Sequence, residues 1–284
     1  MLYKLSIANI KKSFKDYAIY FTTLILGVFI FYIFNSMDSQ TAMLAVSSRQ
    51  SEVIDLLIQL LSAVSIFVSF ILGFLIIYAS RFLIKKRNKD DNVDGILVQM
   101  PLPKYLDTKK IQNLIDDKKD VDGLSDINAG KLMHQVDCLE PCTPKGIMEI
   151  LDYYKIPVEG KNVVIVGRSD LVGKPLAAMM LNKNATVTVA HSKTNNLKEV
   201  TKTADILVAA VGKKGLITED MVKDDAVIID VGINRVEDKL YGDVDFDGVK
   251  DKVSYITPVP GGVGQMTVAS LGQNVIKAYQ LRKK

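Results

Sequence analysis

The sequence predicts an α/β protein built on a doubly wound, Rossmann-like parallel sheet and preceded by a two-helix transmembrane hairpin. Three observations carry that prediction. From Val93 onward, short apolar runs alternate with segments of helical period. Within them "KNVVIVGRSDLVGKPLAAMML" reads as a buried strand, a glycine turn and a helix. Ahead of them, residues 17–37 and 56–80 form uncharged stretches of 21 and 25 residues.

Either stretch is long enough to cross a hydrocarbon core of about 30 Å at about 1.5 Å per helical residue. The first exceeds the roughly 7–15 apolar residues of a signal peptide, and no A-x-A-like site follows it. Four lysines precede the first stretch, and five Lys/Arg follow the second between Arg81 and Lys89. The short loop between the stretches, 38–55, holds one basic residue, Arg49. The positive-inside rule then places both termini, and the C-terminal domain, in the cytoplasm, with the chain anchored through residues 17–80. Neither stretch carries an ionisable group, so neither offers a proton relay or an ion path.

Charge separates the same two portions. Residues 1–90 hold ten Lys/Arg and five acids, a net of +5, whereas the remainder nets −1 and supplies no basic patch for nucleic acid. The two cysteines, Cys138 and Cys142, read as reduced thiols. With only His134 and His191 beside them, they make no convincing metal set.

The elements of the second portion follow in order. "VDGILVQMPLP" is a short apolar strand closed by prolines, and "TKKIQNLIDDK" places Ile111, Leu114 and Ile115 at helical spacing. "PKGIMEILDYY" predicts a helix with Pro144 in its first turn. After the strand–turn–helix come three more strands, "ATVTVAHS", "ADILVAAVG" and "DAVIIDVGIN", at a spacing that requires crossovers and hence a parallel sheet. The last notable stretch, "TPVPGGVGQMT", leaves the amides of Gly261, Gly262 and Gly264 unshielded near the strand ends, with Thr267 expected to cap a final helix.

The turn Gly167–Gly173 departs from G-x-G-x-x-G. Gly167 permits the tight turn and Gly173 a close helix approach, but Ser169 stands where a second glycine would admit a pyrophosphate. An NAD site usually places an acid at the end of the next strand, to accept from the ribose 2′-hydroxyl. This chain has His191-Ser192-Lys193-Thr194 there, with no acid. A hydroxyl, a cation and the nearby Arg168 suit a 2′-phosphate, so NADP is the cofactor inferred from the chemistry. His191 itself reads as a strand-end histidine making one local hydrogen bond.

The motifs "VDGILVQMPLP", "KDVDGLSDINAGKL", "PCTPKGI", "VVIVGRSDLVGKPLA", "HSKT", "DVGIN" and "TPVPGGVGQMT" together resemble one family, the bifunctional methylenetetrahydrofolate dehydrogenase/methenyltetrahydrofolate cyclohydrolases. The resemblance runs in order from about Val93 to the C-terminus. Gln265 departs from it where many members have proline. Separately, "MLYKLSIANIKKSFKDYAIYF" resembles the start of FtsX-like ABC-transporter permeases over about residues 1–89, which makes the chain an apparent chimera.

The folate-enzyme resemblance implies a division into a hairpin (1–90), a remnant of the folate-binding catalytic domain (91–143) and an NADP-binding domain (144–284). It implies that Gly167, Arg168 and Ser169 hold the cofactor, with Arg168 and Ser192 on the 2′-phosphate and Ile233 beside the nicotinamide. Gln99 and Asp122 match the folate-site glutamine and carboxylate, and family members are typically homodimers. The family's Tyr-x-x-x-Lys pair, central to hydrolysis, has no match in residues 1–92, where Tyr78 is followed four residues later by Phe82. Impaired catalysis, an unpaired strand at 95–99 and a partly bare C-terminal helix from about Thr267 are therefore expected. A membrane-anchored, non-catalytic NADP module and a permease fragment are the alternatives.

Overall fold

In the computed structural model, which describes residues 48–103 and 106–283 together with Ile25, Phe29 and Tyr32, runs of branched apolar residues set the sheet. β1 (Asn162–Val166), β3 (Ile206–Ala209) and β4 (Val227–Asp230) are buried on both faces, as central strands of a parallel sheet must be. β2 (Thr186–Ala190) forms one edge and the short β7 (Tyr255–Ile256) the other, giving the all-parallel order β2-β1-β3-β4-β7. Alternation along each strand divides the core in two. Val163, Ile165, Ile206, Val208 and Ile229 face one side, packed with Ile147, Leu151, Leu176 and Met180. Val164, Val166, Leu207, Ala209 and Ile228 face the other, packed with Ile217 and Val249.

α2 (Thr108–Gln112) and α3 (Asp126–Met133) precede the sheet, and helices cover both of its faces. α4 (Cys142–Tyr153) begins two residues before Pro144, so the proline sits in the first turn, where its missing N–H has no helical partner to lose. α5 (Gly173–Asn182) follows the glycine turn. α6 (Leu197–Thr201) and α7 (Phe246–Val249) are short crossover pieces. The final helix, α8 (Val263–Lys283), starts four residues earlier than expected, and Thr267 is not its cap. The Thr267 hydroxyl lies inside the helix, 3.3 Å from the Val263 carbonyl and 3.0 Å from the Thr143 hydroxyl. α8 crosses α4 at Gly146, where a Cβ would stand 2.9 Å from that of Met266. Buried Asn274 on the same helix donates to Val121 O and Glu140 O at 2.9 and 2.7 Å. A stripe of Val268, Val275, Ile276 and Tyr279 on the same helix is exposed, so the partly bare face expected of it is present. A two-stranded hairpin, β5 (Asn234–Val236) with β6 (Lys239–Tyr241), follows β4 and was not foreseen.

Contacts divide the chain into units Met1–Leu83 and Ile84–Lys284. The first expected span, 17–37, lies outside the described residues apart from Ile25, Phe29 and Tyr32. The second, 56–80, falls within α1 (Ser48–Lys89), where Leu60, Ile66, Phe67, Phe70, Phe74 and Tyr78 are exposed. Among the described residues no helix is long and apolar enough to cross a membrane, so the transmembrane hairpin is not found there.

The strand expected at 95–99 is reduced to one parallel bridge, Ile96 with Asp120. Ile96 and Val98 pack on Ile84, Ile111 and Ile115, whereas Leu97 between them is exposed. The polar stretch before it is equally well held. The Asn88 amide donates to Leu114 O at 2.5 Å and accepts from Asp116 N at 3.0 Å. The Lys119 ammonium, only 3% exposed, donates to Arg87 O, Asn88 O and Asp90 O at 3.1, 2.7 and 2.9 Å. It therefore caps the carbonyl end of α1 with a full positive charge.

Candidate active site

The carboxyl edge of the sheet holds the candidate site, because the direction of the crossovers reverses between β1 and β3 and opens a crevice there. Gly167 ends β1 with φ of +130°, and a Cβ on it would lie 2.3 Å from Ala210 O. Gly173 opens α5 so close by that its Cβ would meet Gly167 O at 2.1 Å. Only glycine fits either place. The serine between them closes the turn, its Oγ accepting from Val172 N at 3.1 Å and Gly173 N at 3.5 Å. Arg168 and Ser169 are exposed at the mouth of the turn.

Ser192 lies just past β2. Ala190 pairs with Val166 in register, and Gly167 N donates to Ala190 O at 2.8 Å, so Arg168 and Ser192 leave adjacent strand ends. Both are exposed, and residues 191–194 contain no carboxylate. His191 makes the local turn expected of it, with its Nδ1 accepting from Lys193 N at 3.2 Å. Ile233 lies beyond β4 and is 64% exposed. The glycine loop reaches it, since a Cβ on Gly264 would stand 3.9 Å from Ile233 Cδ1.

The two folate-site candidates sit on segments joined by the Ile96–Asp120 bridge. Gln99 is exposed, with its amide turned onto Met100 O at 3.2 Å. Asp122 is half-buried in a loop fixed from both sides. On one side, buried Asp120 accepts from Ser125 N at 2.8 Å and Asn128 Nδ2 at 3.1 Å. On the other, Gly123 has φ of +67° and lies so near Leu139 O that a Cβ would come within 2.6 Å of it. Burial pushes the Asp122 carboxyl above its ordinary range, a hydrogen bond with the Cys142 thiol pulls it down, and the Asp120 charge pushes it up. Burial, followed by the Asp122 charge, pushes the Cys142 thiol up to about 12. That thiol stays protonated and acts as a donor, not as a nucleophile. Cys138 is a free buried thiol as well, pushed up to about 11 chiefly by burial. Among the described residues no group of His, Cys, Asp and Glu could hold a metal ion.

Two buried carboxylates beside the crevice had no signature in the sequence. Asp230 ends β4, and Asp243 follows β6. They lie in "IIDVGIN" and "GDVDFDG", where nothing in residue type or spacing separates them from solvated turn acids.

A parallel sheet with a crossover reversal, a glycine turn at the first strand end and an acid-free second strand end define a Rossmann-type dinucleotide-binding protein. Comparison with known proteins narrows that class. The NAD(P)-binding domain of tetrahydrofolate dehydrogenase/cyclohydrolase matches residues 141–283, and the catalytic domain of the same family matches residues 81–122. The bifunctional protein FolD of Nitratiruptor sp. is 57% identical over 201 residues, covering 71% of this chain and 71% of that protein. The Acholeplasma laidlawii FolD is 56% identical over 202 residues, 71% of this chain and 73% of its own. Among solved structures, the Campylobacter jejuni FolD methylenetetrahydrofolate dehydrogenase/cyclohydrolase superposes with TM-score 0.71 at 48% identity, over 72% of this chain and 74% of that one. The Trypanosoma brucei enzyme, solved with NADP and an inhibitor, gives TM-score 0.69 at 36% identity over 72% of each chain. The chain belongs to the tetrahydrofolate dehydrogenase/cyclohydrolase family.

The family match begins at residue 81, upstream of Val93. The basic stretch "KKRNKDD", expected to be a membrane exit at the seam of two proteins, therefore lies inside the folate-enzyme portion. The Asn88 and Lys119 contacts are the physical counterpart of that placement. Residues 1–80 lie outside both matched domains, and the matches give no support to a permease origin for them.

Proposed function

We propose that this chain oxidises methylenetetrahydrofolate with NADP⁺ and hydrolyses the methenyl product to formyltetrahydrofolate. The observation that carries the reading is the pair of glycines at the end of β1 beside an acid-free end of β2. NADP⁺, when bound, supplies a hydride acceptor at its nicotinamide ring. The turn of Gly167 and Ser169 admits the pyrophosphate. The Arg168 guanidinium and the Ser192 hydroxyl hold the 2′-phosphate, which a carboxylate at residues 191–194 would repel. Ile233 offers an apolar wall to the nicotinamide. Gln99 and Asp122 orient the pterin, the carboxyl of Asp122 being hydrogen-bonded with the Cys142 thiol in a loop that Asp120 and Asn128 fix.

In the oxidation the one-carbon bridge loses a hydride and becomes a methenyl cation. In the hydrolysis a water oxygen adds to that carbon, one carbon–nitrogen bond breaks, and a proton is released. The second step gains most from a lysine in a partly desolvated cleft. Residues 1–92 hold no Tyr-x-x-x-Lys, so the hydrolytic step is the weaker in this chain. Purified protein given methylenetetrahydrofolate and NADP⁺ is expected to form NADPH, and methenyltetrahydrofolate is expected to decay little faster than in buffer. No NADPH above background would reject the dehydrogenase. Full hydrolysis of the methenyl compound would reject the role given to the missing lysine.

The finer reading, an anchor through residues 17–80 with both ends cytoplasmic, is supported by the two uncharged lengths and by the Lys/Arg that flank them. Expressed full-length chain should then stay with the membrane pellet through an alkaline wash. Release into the supernatant would contradict it.

A further inference from the structure

Asp243 is fully buried, and its carboxylate is surrounded by donors from two separate loops. Oδ2 accepts from Val211 N at 2.6 Å and Gly212 N at 2.9 Å. Oδ1 accepts from Lys213 N at 2.7 Å and Asn234 Nδ2 at 2.9 Å. Val211, Gly212 and Lys213 form the exposed loop after β3, and Asn234 opens β5 directly after the turn that carries Ile233. Both loops follow the carboxyl ends of neighbouring strands, on the side of the crevice away from β2.

Asp230 locks the same assembly from beneath. It accepts from Gly232 N, Asp243 N and Val244 N at 3.0, 2.9 and 3.0 Å, and its own N–H donates to the Thr257 hydroxyl at 2.8 Å. Two glycines make room for the pair. A Cβ on Gly232 would stand 2.2 Å from Asp243 Oδ1, and one on Gly242 would stand 1.8 Å from Asp230 Oδ2.

Four donors fill the acceptor capacity of one buried carboxylate, about two lone pairs on each oxygen. They bring three consecutive amides of an otherwise exposed loop to a single point. We propose that Asp243 is a positioning residue for the nicotinamide half of the dinucleotide, holding the 211–213 loop and the Ile233 turn as one fixed lip of the crevice. The inference rests on the NADP reading above and deepens it. β2 and β4 are three strand spacings apart, about 14 Å at about 4.8 Å each. Of the adenine-side groups, Ser192 leaves β2 and Arg168 leaves β1, strand ends to which the Asp243 carboxylate makes no hydrogen bond.

The two halves of the ligand separate the possibilities. Asp243→Asn is isosteric, but its amide would face N–H donors with N–H of its own. The variant should bind NADP⁺ about tenfold or more weakly, while adenosine 2′,5′-bisphosphate binds within about twofold of wild type. Asn234→Ala removes one of the four donors and keeps the carboxylate, so a smaller loss with the same selectivity is expected. Equal losses for both ligands in Asn234→Ala, or no loss for either in Asp243→Asn, would overturn the positioning role. Failure of the wild-type chain to bind either ligand would instead overturn the NADP reading on which it stands.

Discussion

Asp122, the carboxyl proposed to orient the pterin, costs the folded chain stability at neutral pH. Burial raises its folded-state pKa above the ordinary value of 3.8, so the folded chain keeps that proton more tightly than the unfolded chain. The stabilisation is complete below the ordinary carboxylate value and is lost as pH rises through the raised one. At neutral pH the ionised, half-buried group is a cost. Asp122→Asn should therefore melt at a higher temperature than wild type at neutral pH, and the difference should vanish in acid near the ordinary carboxylate value. Melting curves at the two pH values check this, and a pH-independent difference would refute it. The motif "KDVDG" identified the residue, but not its surroundings. Its contact with Cys142 joins positions 20 apart in sequence.

Asp230 and Asp243 went unread for a related reason. Asp243 is an acid in a polar turn and Asp230 an acid at the end of an apolar strand, and only the folded chain shows that both are buried and that backbone amides converge on them. Gly167 and Gly173 were legible, because a glycine at a strand end and another at a helix start encode a steric requirement that does not depend on distant parts of the chain.

The elements divide along the same line. β1, β3 and β4 lie within the predicted runs, since buried parallel strands are continuously apolar and β-branched. The run at 95–99 has the same composition but forms only a bridge, because a strand exists by its neighbours and only Asp120 is offered to it. α8 begins ahead of Thr267 because the glycine loop itself supplies the first turn.

The end of α1 depends on a residue thirty positions away. Lys119 is buried with its pKa lowered, chiefly by burial, and it donates to Asn88 O and reinforces Arg87 O and Asp90 O, which also accept from Asp90 N and Val93 N. Lys119→Met keeps the bulk and removes the donors. We expect a loss of about 2 kcal/mol, which is a fall of about 4–8 °C in Tm for a domain of this size. Calorimetry reads the shift. A Tm within about 1 °C of wild type would mean that water replaces the ammonium without cost.

For the chain as a whole, fold and cofactor follow from residues 81–283, where the family match and the ordered sheet coincide. The central claim is that the carboxyl edge of the sheet is a site for a 2′-phosphorylated dinucleotide. Equilibrium titration of wild type and Arg168→Ala with NADP⁺ and with NAD⁺ tests it most directly. The account predicts that wild type prefers NADP⁺. Arg168→Ala should lose about tenfold to a hundredfold in NADP⁺ affinity, the worth of one charge-assisted contact to phosphate, while NAD⁺ changes little. Equal losses for the two nucleotides, or a wild-type preference for NAD⁺, would contradict it.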